Sequence, residues 1–358
     1  MKRNMTTMIQ RGCIRIALFM MLFGTASKTS GQDIHFSQFY NAPLTVNPAF
    51  TGVFDGVARV CNNYRSQWSS LGGGYKTISL SGETQFRSRS RDNQYFGVGL
   101  LLYQDKAGEA QFKKTIAAGS FSFTTAIDER AGHWISFGLQ ASLNQWSYDF
   151  SKATWDEQWN GDRFDASIPT TEVVQLPTFS YLNVNAGANY FYVPDDFNSI
   201  SFGASVSNLL QPNVTFFAPL LDAMYGRRLT VHGSGDFSIT DNRETFINPR
   251  ILFQMQGKQK ELVMGGYLRN KLRFRSLYTG FQKDMFIDFG AFYRLQESFI
   301  TSVRFNYFAF GVGFSYDWGA GQLSRLASAN SWEIGLSYVP PVPRGQRKYS
   351  LKHLPRFF

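Results

Sequence analysis

Near its C-terminus the chain alternates between large apolar and small or polar residues. Phe310, Val312, Phe314, Tyr316 and Trp318 hold one parity, and Gly311, Gly313, Ser315 and Asp317 hold the other. Trp332, Ile334, Leu336 and Tyr338 repeat the pattern against Glu333, Gly335 and Ser337. A period of two belongs to β-strands, whose successive side chains point to opposite faces. The polar parity is mostly Ser, Asn and Gly, with few Lys or Glu. A sheet with one face in water carries more charge. Strands with one face toward lipid and the other toward a packed lumen read as these do.

The same reading gives strand candidates at 57–67, 75–86, 95–104, 114–126, 134–146, 179–193, 199–209, 228–240, 245–256, 260–269, 274–282, 286–295, 299–306, 309–318 and 331–339. Most are longer than the usual strand of about five or six residues and suit a tilted membrane crossing of about 9–11. Short turns at 194–198 and 241–244 fall between long connections at 147–178 and 210–227, the asymmetry of outer-membrane barrels. With the N-terminus in the periplasm, both long connections land outside. The expected fold is therefore all-β: a transmembrane antiparallel outer-membrane β-barrel. Single-chain bacterial barrels have even strand numbers. The region 260–295 is the weakest, so the expectation is about 14 strands, with 16 only if the N-terminal arm supplies one. Trp68, Tyr75, Tyr95, Tyr103, Trp134, Trp146, Tyr190, Tyr192, Trp318 and Trp332 sit near strand ends, where membrane proteins place interfacial aromatic girdles.

Composition agrees. Charged residues make up 17% of the chain and aromatics 16%, against roughly 25% charged in soluble domains. Residues 1–31 read as a signal peptide, with Lys2, Arg3, Arg11 and Arg15 before the apolar run Ile16 to Phe23 and small residues after it. Its removal leaves 31 basic and 26 acidic residues. The surplus sits in the tail, at Arg344, Arg347, Lys348, Lys352 and Arg356. The domain reading is a signal peptide (1–31), an N-terminal periplasmic arm (32–53), the barrel (54–339) and a basic periplasmic tail (340–358). A body of balanced charge argues against a nucleic-acid partner and leaves membrane lipid as the expected surroundings. Cys61 alone survives processing and reads as an ordinary strand residue.

The search for chemistry finds neither a phosphate-binding loop nor a helical zinc motif, and no cofactor or metal is expected. His232 and Ser234 share a strand face, a pairing that any strand produces, and the chain is not expected to be an enzyme. The connection 147–178 carries Trp155, Asp156, Glu157, Trp159 and Arg163, with Asp162 and Asp165 close by. It is a candidate partner-contact surface, and its spacing does not match a calcium-binding loop. Inward charges are expected at Glu83, Asp236, Asp288, Arg294, Arg304, Asp317 and Glu333. They fit either a channel lining or a set of charges paired into a plug.

The N-terminal arm carries a recognisable pattern. Phe36-Ser37-Gln38-Phe39-Tyr40 is followed by Asn47-Pro48-Ala49-Phe50-Thr51-Gly52 and then Tyr64-Arg65-Ser66-Gln67-Trp68. With Gly311 to Asp317, which includes Tyr316 and Asp317, and with Ser331-Trp332-Glu333-Ile334, this ordered set resembles the PorP/SprF family of the type IX secretion system of Bacteroidota. Phe39 stands where the family has Tyr, Phe314 replaces the first Tyr of its Gly-Tyr-Ser-Tyr-Asp strand, and Trp332 replaces His. The resemblance implies a non-enzymatic outer-membrane component of protein export. Its implied partners are type IX secretion components in the periplasm, a dedicated secreted adhesin that it exports or anchors, or both. Some family members support gliding motility. The alternative is an outer-membrane channel for small solutes, which requires an open lumen, whereas the partner reading expects a lumen obstructed by side chains or by the arm.

Overall fold

The computed structural model describes residues 35–342 apart from 70–73, 88–92, 109–111, 129–131, 150–154, 166, 170–177, 196, 215–223, 241–243, 274–283 and 322–329. The expected signal peptide, most of the basic tail and the strand candidate at 274–282 lie outside the described residues.

Fourteen strands follow the arm: β1 (Ala58–Gln67), β2 (Tyr75–Arg87), β3 (Gln94–Ala107), β4 (Phe112–Ala126), β5 (His133–Ser147), β6 (Thr178–Tyr192) and β7 (Ser199–Ser207). The second half comprises β8 (Arg228–Ser238), β9 (Thr245–Gln256), β10 (Gln259–Arg273), β11 (Met285–Arg294), β12 (Ser298–Tyr307), β13 (Phe310–Gly319) and β14 (Ser331–Tyr338). Each pairs antiparallel with its sequence neighbours, and β14 pairs with β1 to close the barrel. β10 pairs directly with β11, so the wall closes without any strand at 274–282.

The burial pattern is that of a water-soluble protein turned inside out. Leu100 is 69% exposed and Leu182 67%, on the outer parity of β3 and β6. The buried parity carries Ser79, Ser81, Ser122, Ser136, Asn144 and Thr230. Soluble proteins bury the apolar face and expose the polar one. A closed barrel with the reverse arrangement is stable where hydrocarbon covers the outside. Tyr95, Tyr103 and Trp134, expected in the aromatic girdle, are instead buried on the inward parity. They pack against apolar residues of the arm, whereas Trp318 stands exposed on the outer parity.

The arm, expected in the periplasm, runs over its described residues through the barrel. It forms a 3-10 turn at Phe39–Asn41, one helical turn α1 (Pro43–Val46) and a second 3-10 turn at Pro48–Phe50. It touches opposite walls. Ser37 donates to Asp317 on β13, Leu44 accepts from Gln140 on β5, and Asn47 lies against His232 on β8. His35 approaches Glu261 near the start of β10 and Glu297 in the β11–β12 turn. Val53 packs with Tyr95, Trp134, Phe191 and Val193 at the other end, where β1 begins and β14 finishes. The segment therefore spans the lumen from the end bearing the long connections to the end bearing the short turns.

Candidate functional site

The lumen filled by residues 35–54 is the candidate site, and its anchor is a cluster of buried charges. Period-two geometry turns Arg65, Asp317 and Glu333 inward from β1, β13 and β14, and barrel closure makes those strands neighbours. Arg65 donates to Asp317 at 2.9 Å and lies 3.7 Å from Glu333. Arg294 joins from β11, 3.1 Å from Asp317 and 3.1 Å from Glu261. The arm enters through Ser37. Its hydroxyl donates to Asp317 at 2.6 Å and accepts from Arg65 and Arg294 at 2.5 and 3.1 Å. Its backbone N–H donates to Glu333 at 2.7 Å, and Asn63 donates to the same carboxylate at 2.6 Å. A buried charge is tolerable only when paired and hydrogen-bonded. Here the pairing is shared between the wall and the arm.

A second anchor lies toward the other end. Glu83 on β2 accepts from Arg59 Nε at 2.7 Å and from the Gly52 N–H at 2.8 Å. Arg59 also reaches the carbonyls of Phe50 and Val53 at 3.2 and 3.4 Å. Gly52 has φ +71°, a left-handed conformation that glycine adopts without strain. Between the anchors, Asn47 caps the turn begun by Pro48, accepting from the Ala49 N–H at 2.9 Å. The arm's carbonyls are met by wall side chains: Ser122 donates to Thr51, Ser136 to Ala49 and Ser205 to Val46. Close approach depends on missing side chains. A methyl group on Gly138 would overlap the backbone of Pro48, and one on Gly187 would overlap the Asn47 amide.

Most of the other inward charges meet a counter-charge, and Arg304 meets a neutral hydroxyl. Asp236 meets Arg250 at 2.8 Å, Asp288 meets Arg269 at 2.8 Å, and Arg304 donates to Ser337 at 2.9 Å. Of the two sequence readings, paired charges around a plug describe this lumen. Aromatic packing fills the rest: Phe39, Tyr40, Tyr267 and Phe292 form one group of ring contacts. Beside Tyr40, Arg59 and His232 lies a cavity of about 40 Å³, lined also by Phe39, Pro43, Val46 and Phe50.

Sequence-derived candidates separate into three places. Asn47, Pro48, Ala49, Gly52, Arg65, Asp317 and Glu333 meet in the lumen, and Gln67 is buried at its mouth. Tyr64 and Tyr316 point outward. Tyr64 packs on Trp332 across the β14–β1 junction, 5.4 Å between rings, and Tyr316 opposes Trp332 in the β13–β14 ladder. Trp68 closes β1 in the left-handed region, its ring 5.5 Å from Tyr75.

Trp155, Asp156, Glu157, Trp159 and Arg163 lie apart, in the β5–β6 connection. There a small hairpin pairs Trp159 with Phe164. Gln158 stitches it, accepting from Trp155 N–H and donating to the Ile168 carbonyl. Trp159 and Phe164 are 50% and 49% exposed, with ring centroids 5.1 Å apart. Among the described residues no three His, Cys, Asp or Glu side chains converge as metal ligands. His232 faces the Asn47 amide at 2.9 Å and Phe50 at 4.7 Å, while Ser234 bonds Ser201 at 3.0 Å. The two are engaged with different neighbours.

Sequence reasoning missed Asn41, Arg59, Asn63, Glu261 and Glu297. Arg59 and Asn63 share the inward parity of Arg65, which was the available signal. Asn41 lies in a segment without periodicity and gave none.

A closed barrel of fourteen strands, oily outside and packed with its own N-terminal segment inside, defines an integral outer-membrane protein. The match to the family model described as type IX secretion system membrane protein PorP/SprF runs over residues 28–338. The chain belongs to this family and is an outer-membrane component of type IX secretion. No match to a curated protein sequence was found. Its fold is similar to a Pseudomonas aeruginosa FadL homologue, at 9% identity and TM-score 0.48, over 81% of this chain and 93% of that one. It is also similar to the CymD monoaromatic hydrocarbon channel, at 11% identity and TM-score 0.49, over 84% of this chain and 93% of that one. The Ralstonia pickettii toluene transporter TbuX gives 9% identity and TM-score 0.45, over 84% and 93%.

Proposed function

We propose that this barrel serves type IX secretion as a protein-docking component rather than as a conduit. It binds the periplasmic machinery, a dedicated secreted surface protein, or both, and exports or anchors that protein at the cell surface. The occupied lumen carries this reading. Ser37, Gly52 and Asn47 tie the arm to β13, β2 and β6 through buried groups. A solute or polypeptide in transit needs the space those residues hold. The surfaces left for work are the two rims. The Trp159 hairpin offers rigid exposed aromatics, the residue types that dominate protein contact energies, and is the proposed contact for external cargo. Gliding motility is the expected cellular role where that cargo is an adhesin.

The test is co-purification from detergent-solubilised outer membranes of wild type and Trp159→Ala, with planar-bilayer conductance measured on the same samples. The expected result is a captured secreted protein that Trp159→Ala releases, with little conductance. Steady conductance from the intact protein sinks the docking reading in favour of the small-solute channel. In a deletion strain, loss of one surface protein supports a dedicated role, and loss of all type IX export assigns the barrel to the shared machinery.

A further inference from the structure

Three amide side chains of the arm donate to the wall among the described residues, and each sits over one opposed residue pair of the ladder. Gln38 Nε2 reaches the Glu333 carbonyl at 3.1 Å and Ser315 Oγ at 3.3 Å, and Ser315 and Glu333 are direct partners across β13–β14. Asn41 Nδ2 reaches the carbonyls of Asn62 and Leu336, both at 3.3 Å, and these two are direct partners across β14–β1. Asn47 Nδ2 reaches the carbonyls of Ala188 and Ala204 at 3.1 and 3.3 Å, and these are direct partners across β6–β7. Glycine stands beside each contact. Gly313 and Gly335 leave room for Gln38, Gly335 also for Asn41, and Gly187 for Asn47.

The chosen ladders share a property. β6–β7 is joined over seven residue pairs, and β14–β1 and β13–β14 over eight each. β4–β5 is joined over fourteen and β5–β6 over fifteen. The β14–β1 junction is also the one place where barrel neighbours are not consecutive in sequence. Counted around the ring, it lies on the opposite side from β6–β7.

We infer that Gln38, Asn41 and Asn47 make the threaded arm a transverse brace, which holds the barrel wall together at its three shortest ladders. The arm is thus part of wall closure as well as a filling for the lumen. One amide clamping two carbonyls on different strands adds a cross-link where the ladder itself has fewest rungs. Because the carbonyls clamped by Asn41 and those clamped by Asn47 lie across the ring from one another, the segment between them works as a strut.

The test replaces two of the three braces, those of Asn41 and Asn47, with covalent ones. Cys61 faces Ser337 directly across β14–β1, so Ser337→Cys places a second thiol opposite the native one, at a separation that cross-strand partners and disulfides share. Ala188→Cys with Ala204→Cys, in a Cys61→Ser background, does the same for β6–β7. Full-length protein refolded into lipid vesicles is unfolded in urea and followed by electrophoretic mobility without heating. Asn41→Ala and Asn47→Ala are each expected to lower the midpoint by roughly 0.5–1 M, from the loss of a buried amide and ordinary denaturant slopes. Measured against its own cysteine control, the β14–β1 disulfide restores Asn41→Ala and leaves Asn47→Ala low. The β6–β7 disulfide does the reverse. If either alanine variant fails to fold, recovery by its own disulfide is the same evidence. Two disulfides that rescue both variants equally, or neither, overturn the inference.

Discussion

Glu83 offers the sharpest quantitative test of how the arm is held. Its side chain is fully buried between two donors, the Arg59 Nε at 2.7 Å and the Gly52 N–H at 2.8 Å. Glu83→Gln keeps the shape but removes the charge and turns an amide toward the guanidinium. Arg59 is then a buried cation whose partner has lost its charge. Breaking a buried pair from one side costs about 3–5 kcal/mol. Arg59→Met costs a similar amount, because Glu83 loses its cation and the Phe50 and Val53 carbonyls lose a donor. The double variant strands no charge. It loses bonds to two carbonyls and the contact of Arg59 with the Phe54 ring, at about 1 kcal/mol each. The double variant is therefore expected to fall short of the summed single costs by at least about 2 kcal/mol. Urea unfolding in vesicles measures all three, with proteolysis of the arm as a second readout. Single costs that add within about 0.5 kcal/mol would falsify the claim that this ion pair anchors the arm.

Other consequences are simpler to read. Deleting residues 35–53 is expected to convert a quiet barrel into a conducting one in planar bilayers, if the deleted protein still inserts. Gly138→Val pushes two methyl groups toward the Pro48 backbone; it should cost about 1–3 kcal/mol and expose the arm to protease while the strands stay protected. Glu297, in the β11–β12 turn, is subject to burial, which favours its neutral form, but Arg294 and His35 outweigh this and hold the carboxyl well below 4.5. A depressed carboxyl stabilises the fold above its unfolded value and loses that contribution as pH falls. Stability should therefore decline below about pH 4.5, and Glu297→Gln should flatten that part of the profile. Native Cys61 is buried, so single cysteines report orientation cleanly. One at Trp159 should react with an impermeant maleimide on intact cells, and one at Asp195, in a short turn at the opposite end, only after the outer membrane is breached.

Most of the wall was legible because a strand between lipid and lumen has one degree of freedom, its parity. Leu182, Val184 and Ala186 against Asn183, Asn185 and Gly187 fix which side is which, and the observed β6 obeys them. The same rule already placed Tyr95 beside Gly97 and Gly99 on the small parity, so its inward orientation followed from the alternation. Reading strand-end aromatics as a girdle overrode that signal. The charged cluster was half legible: Arg65, Asp317 and Glu333 each carry the inward parity, but only closure brings residues 252 positions apart within 2.9 Å. The arm was the opaque part. Its turns follow from Asn47-Pro48 and Gly52, yet no periodicity tells a segment which cavity it occupies. Its partners lie on all sides of the ring.

Barrel size and lumen chemistry together make the arm necessary. Eight strands enclose an interior that their own side chains fill, and larger rings leave space for water or a plug. Fourteen strands lie on the large side of that limit. A water-filled pore of this width is compatible with long charged side chains projecting into solvent. In this lumen Arg59, Arg65 and Arg294 are tied to buried carboxylates rather than to solvent, and beside them the wall presents Ser120, Ser122, Ser136, Ser201, Ser205 and Thr230, together with Gly138 and Gly187. Short hydroxyls and bare backbone leave a trough that fits a peptide, and donors at Ser122, Ser136 and Ser205 sit where peptide carbonyls meet them. Without the arm, Glu83 and Glu333 would lose the backbone N–H donors of Gly52 and Ser37. An inner parity rich in Ser and Gly, combined with a Pro-punctuated N-terminal segment of about twenty residues, therefore specifies a barrel packed by its own chain.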